Sequence, residues 1–157
     1  MTPKSSSYYG GPCIQMELSL PSEVAAISPF VDKLMLSIKK WRCAPENETD
    51  IEIALREALT NATIHGNHED PRKQIHVSCR CTAEEEVSIV VKDEGHGFDS
   101  HAVPDPTAAG VTESTHGRGI YLMKALMDEV RFEHGGTVVR MRKKSGNAQP
   151  FRPKDIT

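Results

Sequence analysis

The stretch Glu57-Ala58-Leu59-Thr60-Asn61-Ala62-Thr63-Ile64-His65-Gly66-Asn67 decides how this chain is read. Glu57 and Asn61 are four residues apart, so on a helix they share a face, and His65 continues the row. Beside this polar stripe runs an apolar one: Ile51, Ile53, Ala54, Ala58 and Ala62. The spacing predicts a helix that Thr49 or Asp50 can cap and that Gly66-Asn67 ends. Taken alone, the polar stripe reads equally well as a solvated face.

Working outward, residues 13–20 alternate Ile14, Met16, Leu18 and Leu20 against Gln15, Glu17 and Ser19, the pattern of a half-buried strand. Pro21-Ser22-Glu23 then opens a helix whose apolar positions are Val24, Ile27, Val31, Leu34, Met35, Ile38 and Trp41. Pro29 falls early in it, so the regular helix is expected from about Ser28, with Pro29 at its first position. A break follows at residues 44–47. Downstream of the central helix, residues 74–81 and 87–91 read as strands joined at Glu84-Glu85-Glu86. Residues 94–116 are rich in Gly, Pro, Asp, Ser and Thr without a period, as expected of a lid that is unordered without ligand. Residues 117–128 read as an amphipathic helix, and 129–133 with 137–143 as a hairpin around Gly135-Gly136.

The order is β-α-α-β-β-lid-α-β-β. Adjacent strands with short turns favour antiparallel pairing over βαβ units. The expected fold is therefore an α/β (α+β) two-layer sandwich, a mixed, mostly antiparallel sheet with its helices packed on one face. One domain spans 13–144, between a flexible segment 1–12 and a flexible tail 145–157.

The 157 residues suit a single domain, with 38% hydrophobic and 26% charged residues and a net charge of -3 from 19 basic and 22 acidic side chains. Such balance argues against a nucleic-acid protein, which would carry a basic stripe. Apolar runs fall short of the roughly 18 residues of a membrane span. The opening MTPKSSSYYGGP lacks the apolar core of a signal peptide, and the expected compartment is the cytoplasm. Cys13, Cys43, Cys79 and Cys81 form no C-x-x-C pair and are read as small, reduced, half-buried residues. Cys79 and Cys81 would share a strand face. The early helix, with Val24, Ile27, Phe30, Val31 and Leu34, carries ample apolar surface, either for the core or for a homodimer contact.

Two further constellations carry chemistry. Asp93-Glu94-Gly95-His96-Gly97-Phe98-Asp99 follows an apolar strand, which puts the Asp93 carboxylate at the strand end, able to accept from an exocyclic amine. Its glycines permit close backbone approach to a ligand. His116-Gly117-Arg118-Gly119-Ile120-Tyr121-Leu122 opens a helix after the long loop, where main-chain N–H groups favour phosphate. No G-K-[ST] follows, so this is no Walker loop, and no strand precedes it, so it is no dinucleotide fingerprint.

In this order, EALTNATIHGN, VKDEGHGFD and HGRGIYLMKALMDEV resemble the N, G1 and G2 boxes of the GHKL, or Bergerat-fold, ATPases. The resemblance is strongest to the bacterial anti-sigma-factor serine/threonine kinases and covers residues 13–143. It implies Mg²⁺ and ATP as cofactors. It implies Asn61 as the Mg²⁺ ligand, Glu57 as the catalytic base, and Asp93 as the adenine-reading carboxylate beside Gly95 and Gly97. Gly117, Arg118 and Gly119 would hold the phosphates. Thr137, in the Gly136-Thr137 pair, would support the adenine edge. His65 matches a family position but is expected only to cap or to make a supporting hydrogen bond. His96 stands where the family often has proline, which bears on loop stiffness.

The implied function is a protein serine/threonine kinase and anti-sigma factor. It would sequester a sigma factor, phosphorylate a small anti-anti-sigma antagonist, and form a homodimer, with neither nucleic acid nor membrane as partner. Two alternatives are an ATP-gated regulatory binding module without kinase activity and a switch kinase acting on a signalling scaffold. Without a phosphorelay histidine domain or membrane sensor, a sensor histidine kinase is not expected.

Overall fold

A computed structural model describes residues 4–8, 11–82, 86–97 and 115–144. The expected loose tail from 145, and the lid from 98 to 114, lie outside these residues.

Strands β1 (Lys4–Tyr8), β2 (Gly11–Pro21), β3 (Gln74–Cys81), β4 (Glu86–Lys92), β5 (Glu129–Glu133) and β6 (Val138–Lys144) form one sheet in the order β1-β2-β3-β4-β6-β5. All five pairings are antiparallel, so the sheet is more uniform than the mixed one expected. The reason lies in the last hairpin. The chain leaves β4, crosses over through a helix, and enters at the edge as β5, parallel to β4. The hairpin then returns β6 between them, so the two parallel strands never touch. The sheet also begins earlier than the expected boundary at 13. Lys4–Tyr8, in the segment read as flexible, pairs with β2.

Register separates the faces. Met16, Cys79, Ile89, Met141 and Val130 are successive cross-strand partners, as are Leu18, Val77, Val91, Val139 and Phe132. One residue away the row reads Glu17, Ser78, Val90, Arg140 and Arg131. A one-residue slip would bring charge into the core, which pins the pairing.

Helices α1 (Val24–Trp41), α2 (Glu48–Asn61) and α3 (Thr115–Leu126) cover the apolar face, with α2 touching both others. α2 buries Ile51, Ala54, Leu55, Ala58 and Leu59, its alanines admitting close neighbours. It starts at Glu48, after a 3₁₀ turn Pro45–Asn47 that fills the expected break. α1 starts at Val24 and keeps Pro29 inside, not at its first position. Burying Ile27 beside Phe30 and Val31 outweighs the one backbone hydrogen bond that Pro29 forfeits. Of the apolar residues that might have made a dimer contact, Ile27, Phe30, Val31 and Leu34 are consumed by the core, and only Val24 is half exposed.

Lys143 is buried on the helix side of β6. Its Nζ donates to the Leu126 carbonyl at 2.7 Å and lies 3.7 Å from both Asp50 and Asp128. One cation therefore joins the start of α2, the end of α3 and the sheet. Partnering is what makes such a buried charge tolerable. Among the described residues no helix is long and apolar enough to cross a membrane.

Cys43 and Cys81, expected to be reduced, stand with Cα atoms 5.9 Å apart, a spacing that a disulfide spans. Cys43 follows the left-handed Arg42 that closes α1 and precedes the left-handed Ala44, a turn that delivers its sulfur to β3. A cross-link over a separation of 38 residues restricts the unfolded chain by about 3–4 kcal/mol. Alkylating the protein after denaturation without reductant should spare Cys43 and Cys81. Labelling of both would show free thiols.

Candidate nucleotide site

The site begins where α2 changes pitch. At Asn61 the α-helix gives way to a π turn, Ala62–Gly66, closed by the Asn67 N–H on the Ala62 carbonyl at 2.8 Å. Such turns recur at functional sites because they redirect side chains and widen the helix. Glu57 and Asn61 stand one turn apart on the side facing α3, and Asn61 Nδ2 is buried with no hydrogen-bond partner among the described residues. A buried amide left unsatisfied is costly unless a ligand completes it.

α3 supplies the opposite wall. It begins at Thr115, two residues before the expected start, so Gly117, Arg118 and Gly119 lie within its first turns. Gly117 and Gly119 are buried and Arg118 is exposed. A Cβ on Gly119 would sit 2.8 Å from Glu57 Oε2 and 3.3 Å from Asn61 Nδ2. Glycine there lets the positive end of the α3 dipole approach the α2 stripe.

The third wall is the turn after β4. Asp93 is only 7% exposed, and its N–H donates to the Thr137 carbonyl at 2.9 Å. Its Oδ1 accepts from the Gly95 N–H at 2.8 Å. Two backbone segments meet here at the limit of contact. A Cβ on Gly66 would fall 2.4 Å from Asp93 Oδ2, and one on Gly95 would fall 2.0 Å from the Gly66 carbonyl oxygen. Gly97, at φ +84, lies equally close to the Gly135 carbonyl. Thr137 is half-buried, its hydroxyl donating to the His134 carbonyl at 3.0 Å.

Asn61, Gly66, Asp93, Gly136 and Thr137 line a single crevice floored by Met123 and Val139. Its open volume is about 20 Å³, room for about one water. Of the nine residues singled out in the sequence, Asn61, Asp93 and Thr137 line this crevice, Glu57 meets Gly119 across the α2–α3 gap, Gly117 and Arg118 stand on the same part of α3, and Gly95 and Gly97 lie on the turn after β4.

Burial pushes the Glu57 carboxyl above its usual range, opposed by the Arg118 charge. Burial also raises Asp93, opposed by the Gly95 hydrogen bond and by the charges of Lys73 and His68. His65 is held below the usual imidazole range by burial and by His68. No cluster of three or more His, Cys, Asp or Glu that could hold a metal occurs among the described residues. Asn61 offers one amide oxygen, a donor that would suit Mg²⁺ completed by phosphate oxygens and water.

Gly66, Asn67 and Glu94 join the site in the structure, whereas in sequence Gly66-Asn67 reads only as a helix stop. A glycine followed by an amide, directly after a polar stripe, was the available signal.

A sheet covered on one face by three helices, with its cleft between a helix stripe, a strand-end carboxylate and a glycine-rich helix start, defines an ATPase domain of the histidine-kinase-like class. Residues 20–143 match the family described as Histidine kinase-like ATPase domain, and the chain belongs to it. ATP is the ligand such a cleft serves. The chain is 36% identical over 103 residues to Serine-protein kinase RsbW of Bacillus subtilis (strain 168), covering 60% of this chain and 62% of that protein. It is 32% identical over 139 residues to Serine-protein kinase RsbW of Bacillus velezensis, covering 82% and 84%. To Anti-sigma F factor of Heyndrickxia coagulans it is 30% identical over 125 residues, 76% of each chain.

Proposed function

We propose that this chain is a Mg·ATP-dependent protein serine/threonine kinase and anti-sigma factor. It binds a sigma factor and phosphorylates an anti-anti-sigma antagonist on a serine or threonine hydroxyl. The name Anti-sigma F factor supports the sigma partner, and the name Serine-protein kinase RsbW supports the phosphoryl transfer. The observation that carries the chemistry is the juxtaposition of the Glu57 carboxylate with Asn61 and with the glycine turn of α3.

Asp93 would accept from the exocyclic amine of adenine, with Gly95 and Gly97 letting the backbone close on the ring and Thr137 supporting its edge. Gly117, Arg118 and Gly119 would hold the phosphates at the α3 terminus. Asn61 would hold Mg²⁺, which neutralises phosphate charge when bound. Glu57 accepts the proton of the acceptor hydroxyl as its oxygen bonds to the γ-phosphorus and the bond to the leaving ADP oxygen breaks. Phosphoryl transfer depends mainly on positioning and charge neutralisation, which these walls supply. The lid would exclude water as a competing acceptor.

Incubation with labelled Mg·ATP and the cognate antagonist should move label to the antagonist. ATP binding without label transfer would favour the ATP-gated binding module. Transfer without capture of a sigma factor would favour the switch kinase.

Glu57 must be ionised to act, so the rate falls on the acid side as it gains a proton. Its raised pKa starts that fall above the range of an ordinary carboxylate. Arg118 lowers this pKa, so Arg118→Ala should move the acid limb of kcat/KM to higher pH, besides slowing the reaction. An unmoved limb would break the link between Arg118 and the base. The compartment is the cytoplasm, and the assembly is a homodimer, which light scattering at twice the 17.3 kDa chain mass would show.

A further inference from the structure

We propose that Asn67 is a positioning residue that sets the adenine-reading turn in place. This rests on the assignment of Asp93 to adenine. Asn67 is fully buried, and each end of its amide is committed. Its Oδ1 accepts the Glu94 N–H at 2.7 Å, the peptide immediately after Asp93. Its Nδ2 donates to Ser22 Oγ at 2.6 Å, at the entrance of α1, and to the Gln74 carbonyl at 3.0 Å, at the start of β3. Its own N–H closes the π turn on Ala62.

The chemistry requires an amide. An acceptor must face Glu94 while two N–H donors face Ser22 and Gln74, and aspartate has no N–H to give. Besides the Asp93 N–H bond to the Thr137 carbonyl, the other ties on the turn run through one exposed side chain. Glu94 also reaches the Gln74 N–H at 3.2 Å and His76 Nε2 at 2.9 Å, but through an exposed side chain. Asn67 is the buried anchor, and it belongs to the turn that begins right after Asn61. One side chain therefore fixes the spacing between the metal end and the adenine end of the cleft. Without it the Glu94 peptide loses its buried acceptor, and the Asp93 carboxylate loses its aim at the base.

The test compares Mg·ATP with Mg·GTP binding, because a displaced Asp93 harms recognition of adenine and not of phosphate. Wild type should prefer ATP. Asn67→Ala should weaken ATP binding about tenfold, the loss expected for a buried hydrogen-bond anchor, while GTP binding changes little. Ser22→Ala removes a partner on the far end of the amide. It should lower the melting temperature yet leave the ATP-to-GTP ratio unchanged, which separates aim from general stability. A folded Asn67→Ala protein that keeps the wild-type ratio overturns the proposal. If wild type itself shows no preference, the assignment of Asp93 fails first and takes this inference with it. Should Asn67→Ala not fold, amide exchange in wild type decides: the Glu94 N–H must exchange slowly, and free exchange refutes the anchor.

Discussion

Glu57→Gln should reduce phosphoryl transfer by about 10²–10⁴-fold, the range general-base removal typically costs. The amide matches the carboxylate in size, so the contact with Gly119, where a Cβ would lie 2.8 Å from Glu57 Oε2, survives. It cannot take the proton from the acceptor hydroxyl. ATP affinity should stay the same or tighten slightly, since a negative charge facing the phosphates is gone. The expected signature is a collapse of kcat with the nucleotide dissociation constant near wild type, the mark of an interaction made in the transition state. Partner control that persists in full in this variant would instead support a binding module, and transfer at wild-type rate would remove Glu57 from the mechanism.

Gly95→Ala should be among the most damaging small substitutions in the cleft. Its methyl would be placed 2.0 Å from the Gly66 carbonyl oxygen and 2.7 Å from the carbonyl carbon, and both belong to backbone, not to a side chain that can turn away. Either the π turn or the Asp93 turn must shift. Overpacking of this kind costs about 1–3 kcal/mol of stability, and a displacement of about 1 Å can cost about 10²-fold in activity. Gly135→Ala is the control. Among the described residues nothing lies within 4 Å of a Cβ built there, but φ is +69. It should lose about 1–2 kcal/mol from backbone conformation alone and leave nucleotide binding intact. Calorimetry and nucleotide titration of both variants would separate the two causes. Wild-type ATP binding by Gly95→Ala would mean the walls have more slack than these distances allow.

The cleft residues were legible in the sequence because each box is local. Glu57 and Asn61 share a face by helical period, Asp93 ends a strand by alternation, and Gly117 and Gly119 stand at a helix start. The resemblance joined them into one site, with roles that no single spacing implies. Asn67 was not legible in this way. Its three partners, Ser22, Gln74 and Glu94, are 45, 7 and 27 residues away, so its role appears only when three chain segments converge. The same holds for Lys143, whose partner Asp50 lies on another element, and for Cys43 and Cys81, separated by 38 residues.

Local patterning by itself determined the three helices and the five strands after β1, the two faces of the sheet and the glycine turns, because side-chain period and backbone permissiveness act over a few residues. Tertiary structure decided what depends on closure. It kept Pro29 inside α1, where burial exceeded the cost of a lost hydrogen bond, and it set β6 between β4 and β5, which made every pairing antiparallel. It also brought the Gly66 and Gly95 backbones into contact, because only the packed chain sets the distance between segments that sequence leaves far apart.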